Sequence, residues 1–412
     1  MSNAITTFIF LIICYSVSAQ VYWNGGSGKW TEASKWSTGQ VPTAVDSVVI
    51  NTEDARVSIA NAGFVKIKAM YLGFRSELMI EKDNTLLVTG GNGNAVTSLS
   101  GKFYVDGTLQ VMNAAKSGMQ LNARDQFNLT RLNNNGLVEI AHSGRSGIDA
   151  GGAALDNNGT IISERNTLSG ISTGHPQGID FNRGTIICRN NSTGMSVSSS
   201  EFINEGPLLI SNSDGSGLSV TGSLNNTNVI EISDSDGRGV QVTDAGTIIN
   251  GSQSILEVRN SLNGALVTNG STIQNSGKLQ ITSSTNFGLT LMDSSILKSF
   301  GLNEILIDTA QIGISAGDES TIDLLGSDLY VKNCSVNGVQ QFGTSLFTLK
   351  ASSSLSISKT TQSAYQLFDQ STSQFFGGTS LITDMINGST VFSVNDDATL
   401  IMDDGAEMMI GI

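Results

Sequence analysis

A four-residue strand signature returns along most of this chain at a nearly constant interval. It reads Thr108-Leu109-Gln110-Val111, Leu137-Val138-Glu139-Ile140, Pro207-Leu208-Leu209-Ile210, Val229-Ile230-Glu231-Ile232, Ile255-Leu256-Glu257-Val258 and Lys278-Leu279-Gln280-Ile281, and continues to Ser354-Leu355-Ser356-Ile357. The interval is about 24 residues, a period that belongs to repeat architectures. A second signature, Gly followed by an aliphatic, comes a few residues later, as in Gly194-Met195 and Gly217-Leu218. A third is an aliphatic followed by Asn or Gly, as in Ile203-Asn204, Ile249-Asn250 and Ile273-Gln274-Asn275. Each repeat therefore holds three short strands and three turns. With no helix between the strands, the repeat is one coil of a parallel β-helix, because the remainder of each coil supplies the crossover that parallel strands need.

Two-residue alternation predicts the core. Val138, Ile161, Ile186, Leu208, Ile230, Leu256, Leu279, Ile305, Leu329 and Leu355 form one inward column. Ile140, Cys188, Ile210, Ile232, Val258, Ile281, Ile307, Val331 and Ile357 form the next, with Ser163 as its polar member. Two residues further on, the same parity predicts an inward, stacked polar ladder at Asn190, Asn212, Asp234 and Asn260. Counting from Thr85 predicts about fourteen coils and a rod of roughly 65–70 Å.

Composition narrows the class. Of 412 residues, 46 are Gly and 3 are Pro, charged residues make up 14%, and the net charge is −14. Ordinary soluble domains carry about 25% charged residues. An acidic chain of this kind lacks the basic surface that nucleic acid requires. Its 39% apolar content with so little Pro does not describe a disordered chain. Residues 1–19 read as a signal peptide, with the apolar run Phe8 to Val17 and the small-x-small step Val17-Ser18-Ala19. The mature chain has no further apolar run long enough for a transmembrane helix. Cys188 and Cys334 lie about six coils apart, too far for a disulfide, and read as a core thiol and a turn thiol. His142 and His175 fall on different repeats, so no metal-binding or catalytic set forms around them.

All three tryptophans stand in the first 36 residues, in Trp23-Asn24-Gly25-Gly26-Ser27-Gly28-Lys29-Trp30 and Lys35-Trp36-Ser37, followed by Val41-Pro42 and Asp46-Ser47-Val48-Val49-Ile50. Aromatic rings at Trp23, Trp30 and Trp36 can cover the open end of an aliphatic core, and Asp46 can anchor the turn before a first strand. The expected organisation is a Trp-rich cap with first strands over residues 20–60 and the solenoid over 61–412, whose C-terminal end reads either as a last coil capped by Met408, Met409 and Ile410 or as a truncation. This opening pattern resembles that of secreted β-helix proteins of the Bacteroidetes and the passenger repeats of autotransporter-type and haemagglutinin-like adhesins. The resemblance implies an all-β, right-handed, pectin-lyase-like parallel β-helix at the cell surface or in the extracellular space.

Three groups are candidates for chemistry. Asp214, Asp234 and Asp236 recur in the aligned turns Ser211–Gly217 and Ser233–Gly239, where they could offer oxygens to calcium; exposed acidic turns are the simpler reading. No other cofactor is indicated. Glu231 and Glu257 face outward in adjacent coils about 5 Å apart, the separation of a retaining glycosidase pair, although stacked surface glutamates reach it by geometry alone. No basic residue or aromatic platform is expected beside them, and Arg165, Arg189 and Arg259 read as scattered. Ile162, Ile187 and Leu209 form an outward apolar run that a loop such as 170–180 would cover. The expectation is thus a secreted, monomeric, non-catalytic surface protein of adhesin-like or structural type, binding glycan or a cell-surface ligand. The competing readings are a polysaccharide lyase or glycoside hydrolase and a fragment of a larger surface protein.

Overall fold

The computed structural model describes residues 20–411, apart from 126–127, 176–177 and 385–389. The expected signal peptide therefore lies outside the described residues. The chain folds as an all-β parallel β-helix of about 15 coils. The one helical element among the described residues is a single 3-10 turn at Ala33–Lys35. Three sheets wrap the core. The first face starts with Gln20–Tyr22, Ser47–Ile50 and Ala69–Leu72; the second with Ser27–Lys29, Arg56–Ile59 and Glu77–Ile80; the third with Phe64–Ile67, Thr85–Val88 and Thr108–Met112. Within each face every strand pairs in parallel with the strand one coil away. Each coil is thus a strand–crossover–parallel-strand unit, a connection that is right-handed in about 98% of cases. The first coil already begins at Gln20, so the Trp-rich segment is itself wound into the solenoid.

The columns predicted from alternation are the observed core. Val138, Ile161, Ile186, Leu208 and Ile230 pair in direct succession. The series continues through Leu256, Leu279, Ile305, Leu329 and Leu355, all buried. Each inward aliphatic rests on its counterpart about 4.8 Å away. The second signature explains itself sterically. A Cβ at Gly194 would lie 2.2 Å from Ile210 Cγ2 and 2.5 Å from the carbonyl oxygen of Gly217, so only glycine lets the chain enter the first face there.

The corner after the third face departs from simple parity. Asn190, Asn212, Asp234 and Asn260 adopt φ of 56°, 53°, 57° and 52° and are exposed. One left-handed residue bends the strand and resets the alternation. The next residue turns inward instead: Asn191, Ser213, Ser235 and Ser261, all buried and paired in register. The expected inward ladder at Asn190, Asn212, Asp234 and Asn260 is therefore corrected by one position. Asn and Asp suit the αL bend because their short side chains tolerate positive φ. Cys334 follows Asn333 (φ 56°) in the same way and is buried at this corner. Ser163, the polar member of the core column, donates to the Gly170 carbonyl at 2.7 Å and accepts from Asn166 Nδ2 at 3.0 Å.

A continuous amide ladder does exist, at the corner between the second and third faces. The side-chain amides of Asn134, Asn157, Asn182, Asn204, Asn226 and Asn250 each donate to the carbonyl of the next, ending on Asn275, at 2.7–2.9 Å. All are buried. Their second protons go to backbone carbonyls such as Thr160, Thr185 and Ile255, at 3.0, 3.2 and 3.1 Å. The third sequence signature ends on this column, at Asn204, Asn250 and Asn275. An Asn226→Ala variant leaves one amide proton of Asn204 buried without an acceptor and strips Asn250 Oδ1 of one of its two donors, the other being the Ser254 hydroxyl at 2.6 Å. It should lower the unfolding free energy by about 1–3 kcal/mol in urea titration.

Trp36 presents its ring edge to both Trp23 and Trp30, with centroids 4.8 Å apart in each case. Its indole N–H donates to the Trp30 carbonyl at 2.8 Å. All three rings are buried. Asp46 Oδ2 accepts from the Thr43 amide and hydroxyl at 2.7 and 2.8 Å, closing the turn before Ser47–Ile50. Truncating Trp36 to Ala removes the ring the other two share. It should cost about 3–5 kcal/mol, read as a lowered midpoint in thermal unfolding followed by circular dichroism.

Candidate functional site

The third face carries the acidic candidates. Glu231 and Glu257 are direct neighbours in the sheet, as their alternation predicts. Arg259 stands between them and holds both: its Nη1 is 3.4 Å from Glu231 Oε1, its Nη2 2.6 Å from Glu257 Oε2, and its Nε donates to Glu257 Oε1 at 2.6 Å. The expectation of no basic residue beside this pair is overturned. Arg259 lies two residues after Glu257 on the same strand, so both side chains emerge on one face. The carboxylates raise the Arg259 guanidinium above its ordinary range, chiefly through the Glu257 hydrogen bond. Arg189 and Arg165 likewise pair with Glu164, at 2.5 and 3.5 Å. The arginines are partners of local acids.

Asp214, Asp234 and Asp236 come together as the repeat alignment requires. With Asn190, Asn212 and Ser213 they line a surface depression of about 260 Å³. Asn260 Nδ2 donates to Asp234 Oδ1 at 3.1 Å, and Arg238 turns away to Gln241 Oε1 at 3.2 Å. Among the described residues no group of three or more His, Cys, Asp or Glu is arranged to hold a metal ion.

The apolar run Ile162, Ile187 and Leu209 stacks in register on the outward side of the third face and is half-buried. Among the described residues of 170–180 the expected covering loop is not formed. Ser169–Thr173 is a first-face strand and Ile179–Asn182 a second-face strand, so this segment completes the coil. The patch faces solvent.

Burial pushes the thiols of Cys188 and Cys334 up to about 12, which keeps both protonated. Alternation did not single out Asp180, a fully buried carboxyl on the second face. Its Oδ1 accepts from the Leu155 amide at 2.8 Å, while Oδ2 has no partner among the described residues. Desolvation raises it from 3.8 to about 6, against the opposing hydrogen bonds from Leu155 and Ser199. Period-2 parity does mark its position as inward, between Leu155 and Phe202 in neighbouring coils, and that is the signal that could have found it.

No known protein-family model matches the sequence, and no curated protein matches it. Among solved structures, the periplasmic alginate epimerase AlgG aligns over 93% of this chain and 88% of its own, at 10% identity and a TM-score of 0.31. A hyper-glycosylated fragment of TibA, produced by TibC catalysis, aligns over 92% of this chain and 97% of its own, at 13% identity and a TM-score of 0.22. The fold rests on the strand register described above, and neither likeness bears on activity.

An acid whose folded pKa is raised stabilises the fold below its unfolded value and loses that contribution as pH rises through the folded one. For Asp180 the window runs from about 4 to about 6. Asp180→Asn keeps the acceptor for Leu155 and carries no charge. It should raise stability at pH 7–8 by about 1–3 kcal/mol and flatten the change between pH 4 and 6, measured by urea unfolding across that range.

Proposed function

We propose that this chain is a secreted or cell-surface, non-catalytic β-helix protein of adhesin-like or structural character, binding glycan or a neighbouring surface through its outer faces. The observation that carries this reading is the state of the one closely spaced outward carboxylate pair that alternation picked out. Arg259 holds both Glu231 and Glu257 in ion pairs. A catalytic pair needs one carboxyl free to donate a proton and the other free to attack; here a shared guanidinium occupies both. The even coils add support. Turns between faces are a few residues long, which leaves little chain to wall a cleft.

The outer faces suit adhesion. Along the first face the outward column runs Thr97, Gln120, Asp149, Ser172, Ser196, Ser219 and Gln241 in register. This is a flat row of short polar side chains that can exchange hydrogen bonds with a hydroxyl-rich ligand at a repeat of about 4.8 Å. Secretion is supported by the apolar run and small-x-small step within residues 1–19.

Glycan-array binding of the 20–412 chain, with and without calcium, tests the proposal. Product release is assayed on every glycan that binds. The expected result is binding without turnover, unchanged in a Glu231→Gln, Glu257→Gln double variant. Binding lost on chelation would trace to the turns of Asp214 and Asp236. Release of reducing or unsaturated ends, abolished in the double variant, would overturn the non-catalytic reading.

A further inference from the structure

Near the N-terminal end the outward side of the second face carries two adjacent columns unlike the rest of the surface. One runs Arg56, Glu77, Lys102 and Arg131 in register. The other, two residues on, runs Lys29, Ser58, Met79, Tyr104 and Asn133. Four cations thus fall in five successive coils of a chain that has 36 acidic and 22 basic residues. The two local acids are already occupied. Glu77 is held by Arg56 at 3.2 Å and by Lys102 at 3.1 Å, and Glu81 accepts from the Ser58 hydroxyl at 2.6 Å. Among the described residues the Lys29 ammonium and the Arg131 guanidinium make no ion pair, and both are exposed.

The two columns enclose a depression of about 380 Å³, within the ~300–1,000 Å³ range of small-ligand sites. Its floor is apolar: the Met79 side chain, 40% exposed, beside the Tyr104 ring. Its rim is polar, with Lys29, Arg56 and Ser58 and the two carboxylates Glu77 and Glu81, the first already paired with Arg56 and Lys102. An amphipathic floor with a few convergent polar groups suits a ring that has one apolar face and hydroxyls at its edge.

We propose that this depression is a saccharide subsite for a sugar ring bearing a carboxylate or comparable anionic group, within a glycan laid along the second face. The ring packs its C–H face on Tyr104 and Met79. Its hydroxyls meet Glu81 and Ser58, and its anionic group lies between Lys29 and Arg56. The attraction is local, because the net charge of −14 repels an anion from most of the surface. The Tyr104 column continues through Asn133 and Asp156 to Phe181, whose ring lies under the Arg183 guanidinium at 4.2 Å. An aromatic ring beside a cation therefore recurs three coils further, about 14 Å along the axis, in line with an extended ligand.

This inference rests on the glycan-binding reading and narrows it to one place and one charge. Calorimetric titration of the 20–412 chain tests it, with oligogalacturonate and hyaluronan hexasaccharides as anionic probes and chitohexaose as the neutral one. Phosphatidylserine vesicles serve as a non-saccharide anion. The expected result is binding of at least one anionic hexasaccharide that weakens with added salt and exceeds chitohexaose by about tenfold or more. Tyr104→Ala and a Lys29→Ala, Arg56→Ala pair should each lose about tenfold or more. Tyr104→Phe should retain binding, and the variants should keep the parental melting curve because these side chains point outward. Saccharide binding that survives both losses, or that is equal for chitohexaose, overturns this subsite and leaves the broader glycan reading standing. Vesicle binding lost in the same variants, with no hexasaccharide bound, overturns it in favour of a lipid headgroup. Silence with all probes here and on the array overturns both.

Discussion

The corners of each coil carry the constraint on which the rest of the structure depends. Between strands, backbone hydrogen bonds from coil to coil are automatic once the strands are parallel and in register. At a corner the chain turns, and its polar groups face a core that water does not enter. A buried donor or acceptor left alone there costs about 1–3 kcal/mol, and the cost repeats with every coil. The ladder from Asn134 to Asn275 meets it with one residue per coil. Each amide bonds its neighbour and a backbone carbonyl, so that neither the side chain nor the turn is left unpaired. At the opposite corner the solution is conformational: a single αL residue per coil, seen at Asn190, Asn212, Asp234 and Asn260, bends the strand and brings a small side chain inward.

These two devices also shape the outside of the molecule. Because the corners are tight and alike, the faces between them are flat, and outward side chains stand in columns at the spacing of the sheet. Chemistry on such a surface comes from what the columns place side by side. On the third face that is Glu231, Glu257 and Arg259, a closed set of ion pairs. On the second face it is Tyr104 and Met79 beside Lys29, which stands outside the ion pairs that join Glu77 to Arg56 and Lys102. The difference between a spent cluster and a receptive one lies in whether the local donors and acceptors already satisfy each other.

Much of this was legible along the chain. Period-2 alternation identified the inward columns from Val138 to Leu355, and the near-constant repeat identified the coil, because stacking of like on like needs both. The adjacency of Glu231 to Glu257 and of Asp214 to Asp236 followed from the same alignment. Asn190, Asn212, Asp234 and Asn260 mark where alternation misleads. One positive φ at this corner shifts the parity by a residue; the Asn or Asp that takes it is a sign in the sequence, but strict alternation does not read it. The loop expected over Ile162, Ile187 and Leu209 failed for a related reason: Ser169–Thr173 and Ile179–Asn182 are strands of their own coil.

Spacing and hydrophobic side chains alone set the coil, its three strands, the inward aliphatic columns and the aromatic cluster at the N-terminal end, and all of these can be read along the chain. The stacking of the coils settles the rest: which corner carries the amide ladder, that Arg259 holds Glu231 and Glu257, that Asp180 is buried with one oxygen unpartnered among the described residues, and that Lys29, Arg56, Met79 and Tyr104 line one depression. Those facts depend on rotamers and on register between coils more than 20 residues apart in the chain. Hydrophobic burial is non-directional and can be read from a pattern. Hydrogen bonds and ion pairs are directional, and their partners are settled only when the coils have stacked.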